Sequence, residues 1–147
     1  MSQKWVVVAE QSRARIFAMD SLSAPLREIE DLLHPAGRQR AQELESDRPP
    51  RVFRGKGEAS HPVEAKVDVK EHEAISFARR IADRIESART QAELTQLVLV
   101  APPDFLGVLR AALSPPAMKH VVQTLDKNLV RETEAEIREY LSHRPTA

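Results

Sequence analysis

The 147 residues include no cysteine, which excludes disulfide staples, thiolate catalysis and cysteine-bound zinc. At that length one domain with an ordinary core is expected, large enough to need neither metal nor disulfide. Net charge is lacking too, since 22 basic and 22 acidic residues cancel. No global field draws the whole molecule onto nucleic acid or anionic lipid, so any such binding has to be local. Long hydrophobic runs are also missing. The amino-terminal stretch MSQKWVVVAEQSR carries an apolar run only from Trp5 to Ala9, shorter than a signal-peptide core and far short of the roughly 20 residues of a membrane span. A soluble, cytoplasmic protein with no membrane span is the expectation. The four glycines include no phosphate-cradling spacing, and no serine, histidine and acid arrangement stands out.

What is present is organised around Leu94 to Gly107, LTQLVLVAPPDFLG. Leu97 to Val100 is unbroken rather than alternating, as a strand reads when helices cover both faces of its sheet. Pro102 and Pro103 end it, and Pro103 or Asp104 suits the first turn of a helix carrying Phe105, Leu106, Val108, Leu109, Ala112 and Leu113. A strand feeding a helix is half of a right-handed crossover, which places this turn at the carboxyl edge of a parallel or mixed sheet. Lys4 to Ala9 reads as a second buried strand. The short turn after it allows only a hairpin to Ala14 to Met19. Leu26 to Leu33 reads as a third, edge strand.

From His34 to Val67 the composition shifts to Pro35, Gly37, Pro49, Pro50, Gly55, Gly57 and Pro62 amid many charges, too long for an ordinary connection. Arg38 to Glu45 suits a short helix. Asp68 to Arg89 is the clearest helix, with Ala74, Ala78, Ile81, Ile85 and Ala88 in steps of four and three, Ile75, Phe77 and Ala82 widening the stripe, and Asp68 and Glu71 suited to its cap. Ser114, Pro115 and Pro116 break the chain. Val121 to Leu125 reads as a last strand, and Leu129 to Leu141 as a last helix using Val130, Ala135, Ile137 and Leu141. The expected architecture is a single-domain α/β fold, a mixed five-stranded sheet in the order β-β-β-α-β-α-β-α with helices on both faces, the order of ribonuclease-H-like sheets.

Five pieces carry a family resemblance: WVVVAEQSRARIF (Trp5 to Phe17), LLHP (Leu32 to Pro35), ESDRPPRVF (Glu45 to Phe53), FARRIADRIESA (Phe77 to Ala88), and LVLVAPPDFLGVLR (Leu97 to Arg110) with TLDKNL (Thr124 to Leu129) behind it. Over essentially its whole length the chain resembles the bacterial host attachment family, proteins described as required for attachment to host cells. That family is in turn similar to the middle domain of archaeo-eukaryotic peptide-chain release factors. The residues at the family's motif positions are Glu10, Arg13, Arg15, His34, Asp47, Arg48, Pro49, Pro102, Pro103 and Gly107. There are departures. Glu10 and Gln11 stand where the family usually has Asp-Gly, and Pro50 where it commonly has Gly. Release factors carry a hydrolytic Gly-Gly-Gln in the long loop, whereas this chain reads Gly55, Lys56, Gly57, Glu58, so the resemblance does not carry peptide release with it.

Each candidate site has two readings. Glu10 ends a strand where ribonuclease-H-like nucleases place a metal-binding acid, but such an enzyme needs converging carboxylates, and Asp104 and Asp126 are as well explained as caps. The turn from Ala101 to Gly107 offers N–H groups to an anion, yet Asp104 would occupy that spot itself. Gly107 is as well explained by close helix-to-strand packing as by a functional role in that turn. Arg48, Arg51, Arg54 and Lys56 form the only locally basic segment, suited to phosphate, with Phe53 as its single aromatic. Flanked by Glu45, Asp47 and Glu58, it is better explained as a solvated loop or a protein contact, and the Asp47-Arg48-Pro49 triplet has a structural reading, with Arg48 pairing with a carboxylate to pin the loop. His34, His61, His72, His120 and His143 have no ligand spacing, so no metal and no cofactor are expected. The reading is a non-catalytic protein acting through an unknown protein partner inside the cell. The alternative is an RNA- or ribosome-associated binder that keeps the release-factor sheet without the hydrolytic tip.

Overall fold

A computed structural model of the chain describes residues 3–20, 25–34 and 62–142, with side chains from residue 69 onward in the helix that begins at Pro62. The middle strand is β1 (Gln3–Glu10). A two-residue turn at Gln11 and Ser12 folds it back onto β2 (Arg13–Met19), antiparallel, and β3 (Arg27–Leu33) continues antiparallel at one edge. On its other side β1 pairs in parallel with β4 (Leu94–Val100), and β4 in parallel with β5 (Val121–Leu125), for an order β3-β2-β1-β4-β5. The unbroken apolar run behaves as its composition demands: Val98 and Leu99 are 1% and 0% exposed. β4 is interior, although β1 rather than β4 is the middle strand.

Alternation distributes these strands between two cores. Trp5, Val7, Ala9, Ala14, Ile16, Leu97 and Leu99 face one way, under α1 (Pro62–Thr90) and α2 (Pro103–Ala112). Val6, Val8, Phe17, Met19, Val98 and Val100 face the other, beneath Leu26, Leu129, Val130 and Ile137 of the last helix, Glu134–Ser142. With both faces covered, residues 5–9 of β1 and 97–100 of β4 are all buried, which explains the missing period of two. The fold is α/β, with a mixed sheet of five strands.

Several boundaries differ from expectation. α1 starts at Pro62, whose missing N–H is no loss in a first turn. Asp68 and Glu71 therefore lie inside it and do not cap it. Ile75 is exposed rather than part of the buried stripe, which consists of Ala74, Phe77, Ala78, Ile81, Ala82, Ile85 and Ala88. Ser114, Pro115 and Pro116 do not merely break the chain. They start a one-turn helix, α3 (Pro115–Met118), with the Ser114 hydroxyl accepting from the Ala117 N–H at 3.2 Å. The last helix, α4 (Glu134–Ser142), starts later than Leu129 because Thr133 closes a capping box: its Oγ1 accepts from the Glu136 N–H at 3.1 Å, and the Glu136 carboxylate accepts from the Thr133 N–H at 2.9 Å. That bond to the Thr133 N–H holds the Glu136 carboxyl below the usual range, while the neighbouring Glu132 is pushed up by sharing a hydrogen bond with Glu136. Leu129 and Val130 remain core residues but precede the helix, and Ala135 is exposed.

α1 ends in a six-residue closure. The Glu93 N–H donates to the Ala88 carbonyl at 2.8 Å and the Ala92 N–H to that of Arg89 at 3.0 Å, with Ala92 at φ 58°. This is the left-handed position that glycine normally fills, and an alanine there carries a steric cost of about 1 kcal/mol. Ala92→Gly should stabilise the fold by about 0.5–1 kcal/mol, read as a higher urea midpoint with an unchanged m-value.

Candidate functional site

The parallel strands β1, β4 and β3 all end at one edge of the sheet, and the turn joining β1 to β2 lies there too. Glu10, Arg13, His34, Pro102 and Pro103 therefore share this carboxyl edge, although they are spread through the sequence. The turn is tied down twice. The Ser12 hydroxyl donates to a Glu10 carboxylate oxygen at 2.7 Å, and the Ser12 carbonyl accepts from the His34 N–H at 2.9 Å.

His34 is the centre of the edge. Only 7% exposed, its ring stacks on Phe77 of α1 with centroids 5.0 Å apart and planes 20° apart. Its Nε2 lies 2.8 Å from Oε1 of Glu73. A carboxylate only accepts, so Nε2 carries the proton and donates. Phe77 in turn lies 6.2 Å from Phe105 in the first turn of α2. Arg80 covers the Phe77 ring at 5.6 Å while donating to the Leu33 carbonyl at 2.8 Å. Further along the same flank, Arg84 donates to Glu30 at 2.7 Å and sits 5.0 Å over the Trp5 ring.

The two arginines of β2 both reach to acids of β3, Arg15 buried and Arg13 partly exposed. Arg15, 8% exposed, forks onto Glu28 at 3.2 and 3.0 Å, donates through Nη1 to the carbonyls of Val130 and Glu132 at 2.9 and 2.7 Å, and lies 5.0 Å over Phe17. It fastens the sheet to the segment leading into α4. Arg13 forks onto Asp31 at 3.1 and 2.8 Å.

At the start of α2, Pro102 stands at the N-cap and Pro103 in the first turn. No side chain caps this end, so Asp104 is an exposed first-turn acid and the capping role expected for it is not met. Asp126 is likewise exposed, and the turn after β5 is tied instead by Asn128, whose Oδ1 accepts from the Val130 N–H at 3.2 Å. Gly107 faces open space, with nothing within 4 Å of an added Cβ, so close packing does not explain the glycine. Among the described residues no three His, Asp or Glu side chains are grouped to hold a metal ion, and no helix is long and apolar enough to cross a membrane. Glu10, Asp104 and Asp126 accordingly do not form the carboxylate set that a two-metal reaction needs.

Arg48, Arg51, Arg54 and Lys56, the Asp47 and Pro49 beside them, and the short helix expected over Arg38 to Glu45 lie outside the described residues. Glu73, Ser12 and the aromatic link through Phe77 escaped sequence reasoning. His34 and Glu73 are 39 positions apart, and no local pattern announces such a pair.

Two measurements probe this edge. Gly107→Ala, in an exposed helical position with room for the methyl group, should stabilise the protein by about 0.5–1 kcal/mol in chemical denaturation, and a loss would reveal a backbone need for glycine. Hydrogen bonding to Arg13 holds the Asp31 carboxyl below its ordinary range. Its contribution is complete above the unfolded value near 3.9 and disappears as pH falls through the depressed folded value. With the Asp31 side chain 40% exposed, solvent screening limits that contribution to about 0.5 kcal/mol. Asp31→Asn should therefore flatten the stability curve below about pH 5 by that amount, and an unchanged slope would assign the pair no net contribution.

No curated protein matches the chain. Residues 5–141, nearly the whole chain, match the family described as protein required for attachment to host cells, and the protein belongs to that family.

Proposed function

We propose that this member of the host attachment family is a non-catalytic interaction protein that works in the cytoplasm, binding a protein partner through the carboxyl edge of its sheet. The observation that carries this reading is how its motif side chains are used. Glu10, Arg13, Arg15 and His34 are each engaged with a neighbour in the same chain, a pattern that builds a shaped surface instead of aiming reactive groups at a shared substrate atom. β3 also ends at this edge, and the basic residues follow it in the sequence.

A second reading has its own support. The strand order β3-β2-β1-β4-β5, antiparallel on one side of β1 and parallel on the other, supports the ribonuclease-H-like, release-factor-like reading. The basic segment falls between β3 and α1, where release factors carry their hydrolytic loop. An RNA- or ribosome-associated protein without peptide release fits those facts.

Capture of partners from cell lysate with and without nuclease separates the two. A partner retained after nuclease and across salt supports the protein-binding reading. If RNA is the partner, four single-strand phosphate contacts predict a log–log salt slope near −3, about a 50-fold loss between 50 and 200 mM, and Ala at Arg48, Arg51, Arg54 and Lys56 should abolish the slope.

A further inference from the structure

We propose that β5 is the seam at which two copies of this chain join, pairing antiparallel across a two-fold axis and so doubling the five-stranded sheet. β5 is the outermost strand on its side. The two rims of the sheet are built differently. β3 carries Arg27, Glu28, Glu30 and Asp31, whereas Val121, Val122, Gln123, Thr124 and Leu125 include no charge and no proline, so β5 lacks the residues that ordinarily blunt an open rim. Both cores also run out here on half-buried side chains, Val121 on one face and Val122 on the other.

The ladder to β4 decides what β5 presents outward. Along a strand, successive residues direct their backbone groups to alternate sides. The Leu97 N–H donates to the His120 carbonyl at 2.8 Å, so Leu97 turns toward β5, and Val121, which stands opposite it, turns away. The Leu125 carbonyl accepts from the Ala101 N–H at 3.1 Å, so Leu125 turns inward and Thr124 outward. Val122 is an extra residue inserted where the register shifts between Leu97 and Val98. This bulge sets the two outward residues three positions apart, opposite Leu97 and Leu99, which are two apart. Among the described residues no backbone hydrogen bond reaches Val121 or Thr124 from the open side.

These two residues match each other. When β5 lies antiparallel to its copy, Val121 of each chain meets Thr124 of the other, and each meeting exchanges two backbone hydrogen bonds. The same register brings Lys119 at the start of each strand against Asp126 at the end of the other, both exposed and of opposite charge, while Lys127 falls level with Met118. With five residues a side the contact is short, so association is reversible and set by concentration.

Sedimentation equilibrium of the intact protein over a concentration series should show the mass passing from one chain to two, and the Val121 and Thr124 amides should exchange more slowly as concentration rises while those of β3 do not. Thr124→Pro removes an outward N–H, a change that an edge strand accepts without loss of its ladder, and should abolish the dimer with an unchanged circular dichroism spectrum. Asp126→Lys, at an exposed position outside the strand, should weaken association by about tenfold, and adding Lys119→Asp should restore it; this pair decides the matter should Thr124→Pro fail to fold. A pure chain that stays single throughout the series, whatever other strand adds at this rim, overturns the proposal. So does a dimer that a folded Thr124→Pro leaves intact, or one that the charge exchange does not restore.

Discussion

Burial of β1 and β4 on both faces is the constraint from which the architecture follows. A strand whose alternate side chains are all apolar has no wet side, so the chain must supply cover above and below it. The long helix and α2 do this on one face. On the other, Ile137 is the one buried helix residue among the described residues, and Leu26, Leu129 and Val130 add cover from irregular chain. Arg15 fastens the segment before α4 to the sheet through the carbonyls of Val130 and Glu132. A buried guanidinium is costly unless its donors are satisfied, and here a carboxylate and two carbonyls satisfy them.

The charged residues fall into a few lines of internal contact. Arg13 and Arg15 tie β2 to β3 and to the segment before α4, while Arg80 and Arg84 tie α1 to β3. The partly exposed pairs among these, Arg13–Asp31 and Arg84–Glu30, contribute little stability each. What they provide is orientation: the pitch of α1 against the sheet is set by where its arginines reach, with Trp5 and Phe77 serving as flat rests for two of them.

Much of the fold was legible because the strands and the body of α1 announce themselves locally. The Leu97 to Val100 run, the Pro102–Pro103 stop and the stripe from Ala74 to Ala88 each occupy a short window and each stand where expected. Errors came where a local signal competed with another. The Thr133-x-x-Glu136 box was readable but lost to the apolar residues Leu129 and Val130, which are buried for reasons unrelated to helix periodicity. Ile75 looked like part of the stripe, yet its place on the helix turns it away from the sheet. The carboxyl edge was legible only as a set of matching residues. His34 meets Glu73, Arg84 meets Glu30 and Arg15 meets Val130 through chain folding over long separations, which no spacing rule encodes.

The bond from Arg80 to the Leu33 carbonyl affects more than the helix that carries it. β3 is the outermost strand on its side, and such a rim is a template on which another extended chain can add. Here it carries Arg27, Glu28, Glu30 and Asp31, and a guanidinium occupies the carbonyl of its last residue. A newcomer would have to displace that ion and face the charges, so this border resists sheet growth and protects the molecule from aggregation along it.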